Sequence, residues 1–215
     1  MPAPQCPIDG ARQQRLPRPM DQAARRPILT SLPNILTYAR IIAVPVLAGF
    51  LFFYPHSTSA RWAAFALFVA ACITDWLDGY LARIWEQQSN LGRMLDPIAD
   101  KLLVGAVLLM LVYDQTISGW SIWAAIIILS REILVSGLRE FLAELNVKIH
   151  VTQLAKWKTT LQMIALGVLI AGPAGDKVIP HTTDIGLALL WVAALLTLMT
   201  GYDYLKAAVR HAIDH

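Results

Sequence analysis

The chain has 215 residues, of which 56% are hydrophobic and 15% charged, with a formal net charge of +3, whereas soluble domains average roughly 45 to 50% apolar and about 25% charged. Its apolar residues fall in blocks of about twenty, the length that crosses roughly 30 Å of hydrocarbon, rather than in amphipathic stripes. A water-soluble domain with a single core is therefore excluded, and an all-α polytopic membrane protein is expected.

Residues 1–27 hold six of the twelve prolines and the arginines Arg12, Arg15, Arg18, Arg25 and Arg26. With almost no apolar periodicity, this stretch reads as a disordered basic tail. It lacks the apolar core of a signal peptide, so no cleavage and export are expected. Met20 opens a shorter and more ordinary beginning, which suggests that the first nineteen residues are dispensable. Residues 28–215 read as one six-helix transmembrane domain. Cys6 in the tail and Cys72 in an apolar run cannot form a disulfide framework and lack the spacing of a metal or redox pair.

Six apolar blocks follow the tail, at 35–54, 61–83, 94–113, 119–143, 153–172 and 184–206. Among the eighteen basic residues, only Arg61 and Lys177 fall in or beside the connections 55–60, 114–118 and 173–183. By the positive-inside rule both termini and the basic helix ends face the cytosol, and the chain crosses six times. No strand pattern or solenoid-length repeat competes with this reading, and no nucleic-acid partner is expected.

The second and third blocks carry four aspartates where ionisable groups are costly and by default mark a functional site. Asp75 and Asp78 are three apart, and Asp96 and Asp100 four apart, so each pair projects from one helix face. If these helices pack together, the four carboxylates converge and call for cations, and hard oxygen donors select Mg²⁺ or Mn²⁺. Such a cluster suits phosphoryl transfer. Gly79 and Gly92 leave room for a bulky substrate close to the backbone, Ala82 is likewise small, and Arg83 can hold a phosphate by a charge-assisted fork. An isolated Asp-Gly pair near a helix end would ordinarily be a turn or cap. Eight positions at fixed spacing are another matter.

The arrangement D-x-x-D-G-x-x-A-R-x8-G-x-x-x-D-x-x-x-D, from Asp75 to Asp100, resembles the signature of the CDP-alcohol phosphatidyltransferases. The resemblance implies that family's six-helix membrane fold, a homodimer, and displacement of CMP from a CDP-linked lipid by an acceptor alcohol. It implies that Asp75, Asp78 and Asp96 are metal ligands, and that Asp100 is both a metal neighbour and the general base. Gly79, Ala82 and Gly92 would border the cytidine pocket, with Arg83 near the diphosphate.

The acceptor must be sought elsewhere in the chain. Ahead of the first block, Pro33-Asn34-Ile35-Leu36-Thr37-Tyr38-Ala39-Arg40 resembles a Pro-Asn-x-Leu-Thr-x-x-Arg pattern of the phosphatidylglycerol- and cardiolipin-forming branches, and Asn34 and Thr37 are assigned to the CDP-lipid side. Physically, Asn34 can cap the helix, while Thr37 and Arg40 share one face. Arg40 alone could equally be an interfacial arginine paired with lipid phosphate. In the fourth block Arg131, Ser136 and Arg139 share one broad side of the helix, and a mid-span arginine has no easy route to water. Arg131 and its neighbour Glu132 point about 100° apart, so their charges need not cancel. The fifth block opens with Lys156-Trp157-Lys158-Thr159-Thr160 and Gln162. These lysines could snorkel to lipid headgroups, or join Arg131 and Arg139 in a basic pocket.

The Arg-Glu-x-x-x-Ser-x-Leu-Arg-Glu and Lys-x-Lys-Thr-x-x-Gln runs resemble the branch whose acceptor is sn-glycerol 3-phosphate. That branch implies transfer of a phosphatidyl group from CDP-diacylglycerol to glycerol 3-phosphate, with Arg131, Arg139, Lys156 and Lys158 binding the acceptor. It further implies a bacterial cytoplasmic (inner) membrane with the active site facing the cytosol. Two alternatives stay open: a cardiolipin-forming member of the same family, with phosphatidylglycerol as acceptor, and a divalent-cation transporter using the aspartates as its transport site.

Overall fold

The structure is a computed structural model that describes residues 32–85, 90–144 and 153–213, with the side chains of 32–34, 78–85, 90–93, 143–144, 153–156, 203 and 207–213 outside the described set. The described residues form six helices and no strand: α1 (Leu32–Phe53), α2 (Thr58–Trp85), α3 (Asn90–Tyr113), α4 (Ser121–Glu144), α5 (Gln153–Gly175) and α6 (Thr182–Ile213). Helix ends follow local chemistry. α1 stops just before Tyr54-Pro55, where the residue ahead of a proline is pushed out of the helical region. Ser57 caps α2, its hydroxyl accepting from the Ala60 N–H. In α5 the backbone breaks at Gly172 (φ 30°, ψ −117°), immediately before Pro173, because glycine alone adopts that conformation without a Cβ clash.

α1 packs against α2 and α3, α5 against α6 and α2, and α4 against α6, while α3 makes smaller contacts with α4 and α5. The shared core is aliphatic and dry: Leu47, Leu51, Phe68, Leu111 and Leu169 are all buried. α5 and α6 approach closely at Gly186, where a Cβ would lie 2.8 Å from Leu169 Cδ2.

The outward surface is as apolar as the core. Ile42, Phe53, Ile133, Leu195 and Met199 are exposed, a distribution that suits hydrocarbon and not water. Among the described residues, four helices contain windows long and apolar enough to cross a bilayer: α1, α2, α4 and α6. α3 and α5 are not among them; these two helices carry Asp96, Asp100, Lys101 and Lys158. The protein is a membrane protein, and the charged residues of α3 and α5 belong to its candidate site.

At the end of the bundle formed by the α2 N-terminus, buried Arg61 ties three connections together. Its guanidinium bonds Asp114 Oδ2 at 2.5 Å, Thr116 Oγ1 at 2.9 Å, the Ile170 carbonyl at 3.3 Å and, through Nε, the Pro55 carbonyl at 3.1 Å. Asp114 also accepts from the Thr116 N–H at 2.9 Å. Arg61, one of the two basic residues in or beside the charge-poor connections, is thus an internally paired cation and not a free interfacial charge.

Candidate active site

The carboxylates occupy the opposite end of α2. Asp75 lies fourteen residues beyond Arg61 in the same helix, or about 21 Å along its axis at 1.5 Å per residue. Thr37 and Arg40, three apart on α1, face Asp96 and Asp100, four apart on α3. The Thr37 hydroxyl donates to Asp96 Oδ1 at 2.6 Å. Arg40 Nη1 donates to Asp100 Oδ1 at 2.6 Å and lies 2.5 Å from Asp75 Oδ1. The arginine side chain is 0% exposed, whereas those of Asp75 and Asp100 are 41% and 47% exposed. One buried cation therefore draws carboxylates from two helices together, while leaving their outer oxygens open to a cavity.

Among the described residues no three acidic, histidine or cysteine side chains meet at one point. The described carboxylates converge through Arg40 and Thr37. Asp78, the fourth aspartate, has its side chain outside the described residues, as do Asn34, Gly79, Ala82, Arg83, Gly92 and Lys156. By backbone position, Asp78, Gly79, Ala82 and Arg83 continue α2 towards its C-terminus, and Gly92 lies in the first turn of α3. The donor set fits a divalent cation: carboxylate oxygens are hard ligands, and two of the groups keep nearly half their surface free.

The cavity beside these carboxylates has a volume of about 300 Å³. Asp75 and Asp100 line one side, and Arg131, Arg139 and Lys158 also line it, with Glu132, Thr159 and Gln162 among the remaining residues. The three cations, expected from the sequence, lie on two helices, α4 and α5, and the fold brings them to one space. Lys158 is buried and donates to Glu132 Oε1, and Arg131 Nη1 reaches the same oxygen at 3.5 Å. Glu132 thus partly balances two cations that burial would otherwise disfavour.

α6 supplies the remaining support. Arg131 Nη2 donates to Thr200 Oγ1 at 3.1 Å. Gly201 lets the arginine lie across the helix, since a Cβ there would come within 3.1 Å of Arg131 Cγ. The guanidinium carbon of Arg139 stands 5.9 Å from the centre of the Tyr204 ring, a cation–π distance. None of Thr200, Gly201 or Tyr204 carries a sequence signal for this role, because each acts through a neighbour some sixty residues distant in sequence. Two atoms in the cavity wall, Arg131 Nε and Gln162 Oε1, are buried without a hydrogen-bond partner.

An apolar groove of about 440 Å³ runs between α2 and α5, lined by residues including Phe65, Phe68, Ile73 and Trp76. It shares Cys72 and Met163 with the polar cavity.

Comparison with known proteins agrees with this geometry. The family described as CDP-alcohol phosphatidyltransferase matches residues 30–199. A protein of Rickettsia bellii (strain RML369-C), named CDP-diacylglycerol–glycerol-3-phosphate 3-phosphatidyltransferase, is 49% identical over 181 residues, covering 84% of this chain and 97% of its own. Proteins of the same name from Cereibacter sphaeroides and Shigella flexneri serotype 5b are each 40% identical, each match covering 86% of this chain and 98% of the relative.

Proposed function

The chain belongs to the CDP-alcohol phosphatidyltransferase family, and from that premise we infer that it transfers a phosphatidyl group from CDP-diacylglycerol to sn-glycerol 3-phosphate, giving phosphatidylglycerophosphate and CMP. The observation that carries this reading is the single cavity with carboxylates from α2 and α3 and cations from α4 and α5. A nucleotide diphosphate linked to a lipid and a phosphorylated acceptor need that pairing: metal-binding oxygens for one, fixed positive charge for the other.

Arg131, Arg139, Lys156 and Lys158 hold the acceptor phosphate, and with that end fixed, the primary hydroxyl at the other end of the glycerol chain is directed towards the carboxylates. Asp100 takes the hydroxyl proton, and the oxygen forms a bond to the phosphorus that carries diacylglycerol. The bond from that phosphorus to the bridging oxygen breaks, and CMP departs with the electron pair. No covalent enzyme intermediate is needed. Mg²⁺ or Mn²⁺ held by Asp75, Asp78, Asp96 and Asp100 neutralises the diphosphate oxygens when bound. Arg83 lies near the diphosphate, and Asn34, Thr37, Gly79, Ala82 and Gly92 border the CDP-lipid. The hydrogen bond from Thr37 to Asp96 supports a position for Thr37 at the carboxylate edge of that boundary. Arg40 keeps the carboxylates gathered and their repulsion limited.

The protein resides in the bacterial cytoplasmic membrane and crosses it six times, with both termini and the cavity facing the cytosol. The distribution of basic residues supports this orientation. The homodimer implied by the family resemblance has a suitable face between α3 and α4, where Leu102, Leu109 and Ile133 are exposed.

The purified protein in vesicles, given CDP-diacylglycerol and Mg²⁺, should release CMP on addition of glycerol 3-phosphate and stop on chelation. Turnover with phosphatidylglycerol in place of glycerol 3-phosphate would assign the acceptor differently. Metal flux without CMP release would overturn the enzymatic reading.

A further inference from the structure

Among the described residues, Gln162 carries one of the two buried polar atoms in the cavity wall that lack a hydrogen-bond partner, and the only acceptor of the two. The residue is 2% exposed and its Oε1 is buried without a hydrogen-bond partner. It lies one turn deeper along α5 than Lys158, lines the same cavity, and shares that cavity with Asp100. A buried amide oxygen with no partner is costly, and such groups in native structures call for an explanation. Its neighbours in the wall are turned to other acceptors: Lys158 is engaged with Glu132, Arg131 Nη1 and Nη2 with Glu132 and Thr200, and Arg131 Nε, itself unpartnered, makes no bond to it.

We propose that Gln162 is a specificity-determining residue that accepts a hydrogen bond from the secondary hydroxyl of the acceptor, making the cavity selective for a phosphorylated polyol with a free hydroxyl beside the reacting one. This rests on the reading of glycerol 3-phosphate as acceptor. In that molecule the secondary hydroxyl lies between the phosphate, bound at Lys158 and Arg131, and the primary hydroxyl, presented to Asp100. Gln162, one helical turn from the phosphate-binding lysine, has the reach and the unused acceptor that this middle group needs. A site built around a buried acceptor discriminates strongly against a ligand lacking the donor, because the acceptor is then left unpaired.

The experiment compares glycerol 3-phosphate with 3-hydroxypropyl phosphate, which keeps the phosphate and the primary hydroxyl but has no secondary hydroxyl. CMP release is measured for wild type and for Gln162→Met in vesicles containing CDP-diacylglycerol. Wild type should prefer glycerol 3-phosphate by at least about tenfold in kcat/KM. In Gln162→Met the activity with glycerol 3-phosphate should fall roughly three- to tenfold, the activity with the analogue should hold or rise, and the preference should collapse. An equal loss with both substrates would make Gln162 merely structural and overturn the inference. Should the variant fail to accumulate, equal kcat/KM values for the two substrates in wild type overturn it without any substitution. Failure of the underlying function looks different: wild type would then release no CMP with glycerol 3-phosphate.

Discussion

The two ends of the bundle each bury an arginine against aspartate, with opposite outcomes. At one end Arg61 meets Asp114, whose side chain is 0% exposed, and its remaining donors are taken by Thr116 and two backbone carbonyls. At the other end Arg40 meets Asp75 and Asp100, which keep 41% and 47% of their side-chain surface open to a cavity. Arg61 and Asp114 also line a cavity, of about 230 Å³, but a charge pair so deeply buried and so largely matched by protein groups chiefly holds the surrounding segments together. A charge pair left half open retains oxygens for a cation or a proton. The same residue types thus serve structure in one place and chemistry in the other, and the difference lies in exposure and in what else shares the space.

Substitutions at the two ends separate these roles. Asp100→Asn keeps the shape but removes the base and a metal ligand, so kcat should fall by about a thousandfold or more while CDP-lipid binding stays detectable by filter or fluorescence titration. Near-normal turnover would remove Asp100 from the mechanism. Asp114→Asn leaves Arg61 as an uncompensated buried cation, which costs about 3 to 5 kcal/mol, so the thermal midpoint in detergent should drop by roughly 5 to 15 °C. Activity per folded molecule at low temperature should stay within about twofold of wild type, and a large loss of kcat with an unchanged midpoint would erase the contrast between the two ends. The smallest effect belongs to Thr200→Val, which removes one hydrogen bond to Arg131. KM for glycerol 3-phosphate should rise roughly two- to fivefold, and a change confined to CDP-diacylglycerol would refute the support assigned to α6.

Much of the architecture was readable from the apolar blocks, and the differences are systematic. α2 begins at Thr58, ahead of the block starting at residue 61, and α6 runs to Ile213, past the block ending at residue 206. Hydrophobicity marks the hydrocarbon slab, whereas a helix continues into the headgroup region as long as its backbone bonds are satisfied. The Asp96–Asp100 pair and the Thr37–Arg40 face were legible because helical periodicity fixes which side chains share a side. Their mutual alignment was not, since Arg40 and Asp100 are sixty residues apart. Glu132 shows the same limit. Its angle to Arg131 suggested that their charges need not cancel, yet Arg131 Nη1 comes within 3.5 Å of Glu132 Oε1, and its nearer partner, Lys158, is twenty-six residues away on another helix.

The central claim is that the cations gathered from α4 and α5 bind the acceptor phosphate beside the carboxylates. Its most direct test is the pair of KM values, for glycerol 3-phosphate and for CDP-diacylglycerol, in Lys158→Met against wild type. The acceptor KM should rise by about ten- to a hundredfold, with the CDP-diacylglycerol KM changed less than about twofold. An equal rise in both, or a rise only for CDP-diacylglycerol, would contradict the account.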